Sequence, residues 1–190
     1  MNNEQTVDSG SHGIRWGLII GGVYLVLLFL RYYVGATSFI AFSGLTFVGF
    51  ISVVIMLLVS GFQLRKKNGG WIEMKEAFKA MFISVLIIEF IYLIFTFVYL
   101  KYVDPTFFDK LRISTEELLL ATKQSQNDVD AAVKNIDLMK EQSLNMGVFD
   151  FLRSYLTYVG IMGLFALLFA FIIKRKPPVF EQDQYNQSSY

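Results

Sequence analysis

The chain has 190 residues, 54% of them hydrophobic and only 17% charged, with a formal net charge of +1. Globular chains carry about a quarter charged residues, so charge is scarce here, and what there is lies between long apolar runs. With no cysteine and one histidine, disulfides, thiolate chemistry and a multi-histidine metal site within one chain are excluded, and the near-neutral charge gives no reason to expect nucleic acid as a partner.

Residues 1–12 are polar and short of apolar anchors, which predicts a disordered cytoplasmic tail holding His12. A helix needs roughly 20 apolar residues to cross the hydrocarbon of a bilayer. Trp16–Leu30 is uncharged, and Arg31 after it can snorkel to the headgroups, so a first span is predicted over about 14–34. Val34-Gly35-Ala36 has the small residues of a leader cleavage site, but the apolar stretch is long for a leader and Glu4 and Asp8 precede it. Gly13, Gly17 and Gly21 recur every four residues, a groove that lets another helix approach closely. That helix belongs either to a second copy of the chain or to the same protomer, and spacing alone does not choose between them.

Tyr32–Leu64 is uncharged and too long for one ordinary span, and Gly35-Ala36-Thr37-Ser38 offers a break near its start. A second span is therefore predicted over about 39–62. The loop after it carries Arg65, Lys66, Lys67, Lys75 and Lys79, with Asn68-Gly69-Gly70 as a turn signal. A phosphate cradle would need a Gly-Lys-Ser or Gly-Lys-Thr to follow, and none does. Ala80–Leu100 contains one charge, Glu89, and predicts a third span over about 78–100.

Residues of about 103–147 form the only sizeable segment outside the predicted lipid. Asp104 before Pro105 fits a helix cap with proline at the first position, and Ser114 with Glu117 fits a second start. Val129, Val133, Ile136 and Met139 or Lys140 suggest a second amphipathic helix, joined to the first around Gln124–Asp128. Asp128, Asp130 and Asp137 match no metal-loop spacing, and solvent-facing charge accounts for them. Ser154–Ile173 has no charge and predicts a fourth span over about 151–173, with Ala166 and Ala170 as a weaker small-residue pair. Residues 177–190, after the start of Pro177-Pro178, are predicted to be a second disordered tail.

The fold expected is all-α: an integral membrane four-helix bundle over 13–176, with a helical extracytoplasmic insert between spans three and four. Basic residues in short loops set orientation. The second loop, Lys174-Arg175-Lys176 and Arg15 share one side, whereas Lys101–Arg153 holds seven basic and nine acidic residues. Both termini are thereby expected in the cytoplasm. Tyr32, Tyr33, Tyr99, Tyr102, Tyr155 and Tyr158 fall at the outer span ends, and Trp16 and Trp71 near the inner ones, as interfacial aromatics do.

Lys66-Lys67-Asn68-Gly69-Gly70-Trp71-Ile72-Glu73-Met74-Lys75-Glu76-Ala77-Phe78-Lys79, together with Tyr102-Val103-Asp104-Pro105 before a charged insert and a last span, resembles one family. It is the uncharacterised bacterial membrane family catalogued as domain of unknown function four-one-nine-nine. The resemblance covers about Gly13–Lys176. It implies a four-span inner-membrane protein and supplies no activity, cofactor or catalytic residue.

Glu89 is the most informative residue, because an ionisable group near the middle of a span is costly unless it faces the bundle interior. Helical spacing aligns it with Tyr92 and Thr96, and its candidate neighbours are Tyr24 in the first span and Thr46 or Ser52 in the second. Either it relays a proton or cation, or it is a neutral carboxyl hydrogen-bonded between helices. A serine hydrolase would need a base at the serine's depth, and His12 in a loose tail does not offer one. The sequence therefore carries three expectations of function, an interfacial membrane enzyme being the third. The first is a structural or accessory protein with the bilayer, and a homo-oligomer or membrane-protein contact, as partners. The second is a small proton- or cation-linked transporter using Glu89. No cofactor is expected.

Overall fold

The computed structural model describes residues 8–176, and it is helical throughout apart from its turns. Six α-helices follow one another: α1 (Ser9–Gly35), α2 (Phe39–Lys67), α3 (Met74–Val98), α4 (Phe107–Ala121), α5 (Gln126–Leu144) and α6 (Val148–Ile173), with a π-helical turn, Tyr99–Val103, extending α3. The four long helices have 25 to 29 residues. At about 1.5 Å per residue each outreaches a hydrocarbon core of about 30 Å. Between 17% and 33% of each apolar window is buried inside the structure, so most of that apolar surface faces outward. Water does not tolerate such a surface and lipid does, so the four helices suggest a multi-pass membrane protein.

Local chemistry sets the helix ends. The Asp8 carboxylate accepts the Ser11 N–H at 2.7 Å and starts α1. That bond holds the Asp8 carboxyl below its ordinary value. α1 stops at Gly35, and after Thr37 the Ser38 hydroxyl accepts the Ala41 N–H at 3.3 Å to begin α2. Gly69 and Gly70 take the positive φ values of 68° and 90° that end α2 in a plain turn.

Three expectations about the chain outside the spans are corrected. Of the predicted tail 1–12, residues 1–7 lie outside the described residues, but 9–12 are the first turn of α1, and His12 is buried within the bundle. The Asp8 cap and the contacts of His12 described below hold this turn in place. Asp104 does not cap a helix at Pro105. Its carboxylate instead accepts the Thr106 hydroxyl at 2.8 Å and Lys110 Nζ at 3.0 and 2.9 Å, which closes a turn, and α4 begins only at Phe107. Nor does a helix start at Ser114, whose hydroxyl donates to the Leu111 carbonyl inside an unbroken α4.

α3 is the centre of the bundle, packed along α1 on one side and α6 on the other, while α2 leans mainly on α1. The glycine stripe makes the α1–α3 contact. Gly13 meets the Ala80 backbone, Gly17 meets Ser84 and Ile87, and Gly21 meets Ile91. The partner helix of that groove thus comes from the same chain. The apolar core falls into two clusters. One, around Leu57, Leu64, Met81, Val85, Ala166 and Ile173, lies at the end where the α2–α3 loop sits. The other, around Leu28, Tyr32, Phe42, Tyr99, Phe107 and Leu111, lies at the α4 end.

At the loop end, Ile72 and Arg175 exchange both backbone hydrogen bonds at 3.0 Å, a one-residue antiparallel bridge. The Arg175 guanidinium also lies 4.8 Å from the centre of the Trp71 ring. This pins the segment leaving α6 onto the α2–α3 loop. At the other end α4 and α5 form a hairpin. Phe107, wholly buried, packs on Tyr32 (4.9 Å between centroids), Phe42 (5.6 Å) and Phe108 (5.4 Å). Lys140 Nζ–Asp109 at 2.6 Å and Arg112–Asp137 at 3.9 Å tie α4 to α5. Asp128 accepts the Ser125 hydroxyl and Asp130 accepts Gln126 Nε2, so these carboxylates serve local turns of α5.

Candidate functional site

Glu89 lies on the inward face of α3, 7% exposed, as expected of a mid-span carboxyl. Tyr24 of α1 and Tyr155 and Tyr158 of α6 all stand within electrostatic reach of it. Tyr92, one turn further along α3, stacks on Tyr24 at 6.0 Å and meets Tyr158 edge-on at 5.6 Å. A continuous layer of three tyrosines from α1, α3 and α6 therefore covers the carboxyl on the side of the α4–α5 hairpin. The Tyr155 hydroxyl donates to the Leu86 carbonyl at 3.1 Å, and its ring meets Phe90 edge-on at 6.3 Å, which fixes α6 against α3 at this depth.

The structure brings Tyr24 and Tyr92 to Glu89 and leaves the α2 hydroxyls out. Ser52 donates to the Val48 carbonyl at 2.7 Å and Thr46 to the Phe42 carbonyl at 2.6 Å, each inside its own helix. Hydroxyls in apolar helices satisfy themselves this way when nothing across the bundle reaches them. Thr96 is on the Glu89 face, but its hydroxyl is buried without a hydrogen bond. Tyr155 and Tyr158 escape the sequence reading because their position near a span end suits an interfacial aromatic. Their spacing of three, one helical turn, was the signal for a shared face.

Arg31, near the end of α1, rests against aromatic rings. Its guanidinium lies over the Phe42 ring at 4.3 Å and 5.3 Å from the Tyr32 centroid, and its Nε is buried without a hydrogen bond. A weakly hydrated planar cation gains from aromatic faces what it gives up in solvation. It makes no ion pair with Glu89 among the described residues.

A second buried polar set joins α1, α2 and α3 near the loop end. His12 Nε2–H donates to the Ser60 carbonyl at 3.0 Å, with the Ser60 hydroxyl 3.3 Å away, and the Ser84 hydroxyl donates to the Gly13 carbonyl at 2.8 Å. The approach of a histidine to a serine invites a nucleophile–base reading. It fails on the proton: Nε2 spends its hydrogen on a carbonyl and cannot take one from Ser60 in that state. The set works as an interhelical tie, the buried donors each meeting an acceptor.

Beside the tyrosine layer, a polar cleft of about 630 Å³ opens between the end of α5 and the start of α6, and Tyr158 is among the residues that line it. Glu89 does not line it. Among the described residues no group of three or more carboxylates and histidines could hold a metal ion.

The DUF4199 family profile, described as a protein of unknown function, matches residues 15–175. The chain belongs to that family. The match takes in the whole of α2, α3, α4, α5 and α6 and α1 from Arg15 onward, so the DUF4199 region is the bundle with its hairpin rather than one piece of it. No curated protein and no solved structure matches.

Proposed function

We propose that this DUF4199 protein is a structural or accessory component of a bacterial cytoplasmic membrane. In this reading it crosses the bilayer four times with both termini in the cytoplasm and presents the α4–α5 hairpin on the outer side. Helix contacts and the hairpin are its working surfaces. The observation that carries the reading is the way the hairpin is mounted. Phe107 and its aromatic neighbours fasten it to the bundle, while Lys134, Asp130, Asp137 and Glu141 lie on its exposed surface. The orientation is supported by Arg65, Lys66, Lys67, Lys75, Lys79 and Lys174-Arg175-Lys176, which gather at the end held by the Ile72–Arg175 bridge.

The chain has no cysteine, so single cysteines report position cleanly. With Lys66→Cys and Lys134→Cys, a membrane-impermeant maleimide applied to intact cells labels only the second. Labelling of Lys66→Cys alone reverses the topology. For the accessory role, a photoreactive residue at position 134 yields a discrete crosslink to another membrane protein, whereas one at lipid-facing position 47 does not. If position 134 gives no protein adduct, the hairpin is not a docking surface.

A second reading is favoured by the Glu89–Tyr24–Tyr92–Tyr158 layer: a proton- or cation-linked transporter, with the tyrosines between Glu89 and the polar cleft. Single acidic groups inside membranes often mark ion pathways. A pathway needs several polar groups in series, and Tyr158 lines the cleft whereas Glu89 does not. In proteoliposomes, Glu89→Gln abolishes proton-coupled flux under this reading, and flux unchanged by that variant eliminates it.

A further inference from the structure

The cleft between α5 and α6 is independent of the accessory role and rests only on the membrane reading. Its walls mix signs: Arg153 stands among Glu141, Asp150, Ser154, Thr157 and Tyr158. Arg153 forms no ion pair among the described residues, although Asp150 lies one turn before it. The reason is local. Asp150 Oδ2 accepts the Gly147 N–H at 3.1 Å and is held at the helix start. The Thr157 hydroxyl is likewise committed, donating to the Arg153 carbonyl at 2.8 Å. The cleft thus offers a guanidinium and carboxylate oxygens that are not spent on one another.

Arg153 and Thr157 also line a second, apolar groove of about 470 Å³, with Phe149, Leu152 and Leu156. Phe149 is 87% exposed and Leu156 59%, on the first turns of a helix apolar enough to span a membrane. A cleft that carries both charges and continues, across one arginine, into an apolar groove fits an amphiphile. Its head must be zwitterionic and its tail must run along α6.

We propose that this site binds a phospholipid with a phosphoethanolamine head in the leaflet on the hairpin side. Arg153 holds the phosphate, as guanidinium does by charge-assisted hydrogen bonds. Glu141 and Asp150 hold the primary ammonium, whose three N–H donors suit carboxylate oxygens. An acyl chain lies against Phe149, Leu152 and Leu156. A phosphatidylglycerol head would meet the same carboxylates with no cation to offer. A choline head would offer a charge without donors.

The test uses the full chain, purified in mild detergent and equilibrated with an equimolar mixture of phosphatidylethanolamine, phosphatidylglycerol and phosphatidylcholine, with retained lipid read by native mass spectrometry. The wild type keeps phosphatidylethanolamine above the other two. Arg153→Gln reduces that retention about tenfold or more, as expected for loss of a hydrogen bond to a charged group. Glu141→Gln shifts the preference toward phosphatidylglycerol. Leu168→Ala, on the same helix beyond the groove, changes nothing. Should Arg153→Gln not purify as a single species, Glu141→Gln carries the decision. Equal retention of the three lipids, a wild-type preference for phosphatidylglycerol, or indifference to these variants overturns the site. Displacement by millimolar free phosphoethanolamine assigns the cleft to a soluble ligand and overturns the lipid.

Discussion

Gly13→Ala is the sharpest probe of the bundle, because what the new methyl meets cannot move aside. Its Cβ would stand 2.4 Å from the Ala80 carbonyl oxygen, 3.0 Å from Ile83 Cβ and 3.1 Å from the Ala80 carbonyl carbon. Two of these are backbone atoms and the third is the branch point of a side chain. Relief requires α1 and α3 to part by about half an ångström, which also lengthens the 2.8 Å bond from Ser84 to the Gly13 carbonyl. Overpacking of this kind costs about 1–3 kcal/mol. Alanine in place of glycine in a helix returns up to about 1 kcal/mol. A net loss of roughly 0–2 kcal/mol follows. Two neighbours calibrate it. Gly22→Ala meets nothing within 4 Å and is neutral or mildly stabilising. Gly21→Ala meets only Ile91 Cδ1, the free end of a side chain that can rotate away, and falls between. The assay is unfolding by added sodium dodecyl sulfate in mild detergent, followed by the fluorescence of Trp16 and Trp71. If Gly13→Ala proves as stable as Gly22→Ala, the close α1–α3 contact does not exist.

Phe107→Ala empties a fully buried site among Tyr32, Phe42 and Phe108. It should cost about 3–5 kcal/mol of hairpin docking, seen as faster amide exchange over α4 and α5 while α1, α3 and α6 stay protected. Partial burial pushes the Asp104 carboxyl up, but the bonds from Lys110 and Thr106 outweigh it and leave it below its ordinary 3.8. A carboxyl lowered in the folded state stabilises above its unfolded value, and that contribution is lost as pH falls through the folded one. Acidification below about pH 4 should therefore loosen the π-turn–α4 junction first. Asp104→Asn should remove that pH dependence, which proteolysis at the junction measures.

Much of this architecture was legible because lipid-facing helices leave a coarse signature. Long uncharged runs, the Gly35–Ser38 break and the Asn68-Gly69-Gly70 turn each state their structure locally. The spacing of Phe108, Leu111, Leu118 and Leu119 likewise reads as the apolar side of a helix, of which Phe108 and Leu111 are buried, while the wholly buried Phe107 falls outside that pattern. α1 begins earlier than the sequence predicts because polar residues at its start read as disorder. Ser11 and His12 are polar, yet their partners are the Asp8 cap and Ser60 of α2, which no local pattern displays. The candidate site was half legible for the same reason. Glu89 and Tyr92 share a helix face, so periodicity aligns them, and Tyr24 sits at the right depth. Depth also nominated Thr46 and Ser52, but rotation about the α2 axis, set by packing on α1, turned both away. Tyr155 and Tyr158 were hidden by a property they share with every interfacial tyrosine. Asp104-Pro105 misled because a short acidic side chain beside a proline closes a turn as readily as it begins a helix.

The bridge between Ile72 and Arg175 bears on how the protein is made. Ribosomes deliver α2 and the loop behind it long before α6 emerges, so Ile72 waits with its backbone N–H and carbonyl unmatched until the last helix has threaded into place. The clasp can therefore close only after α6 has been made.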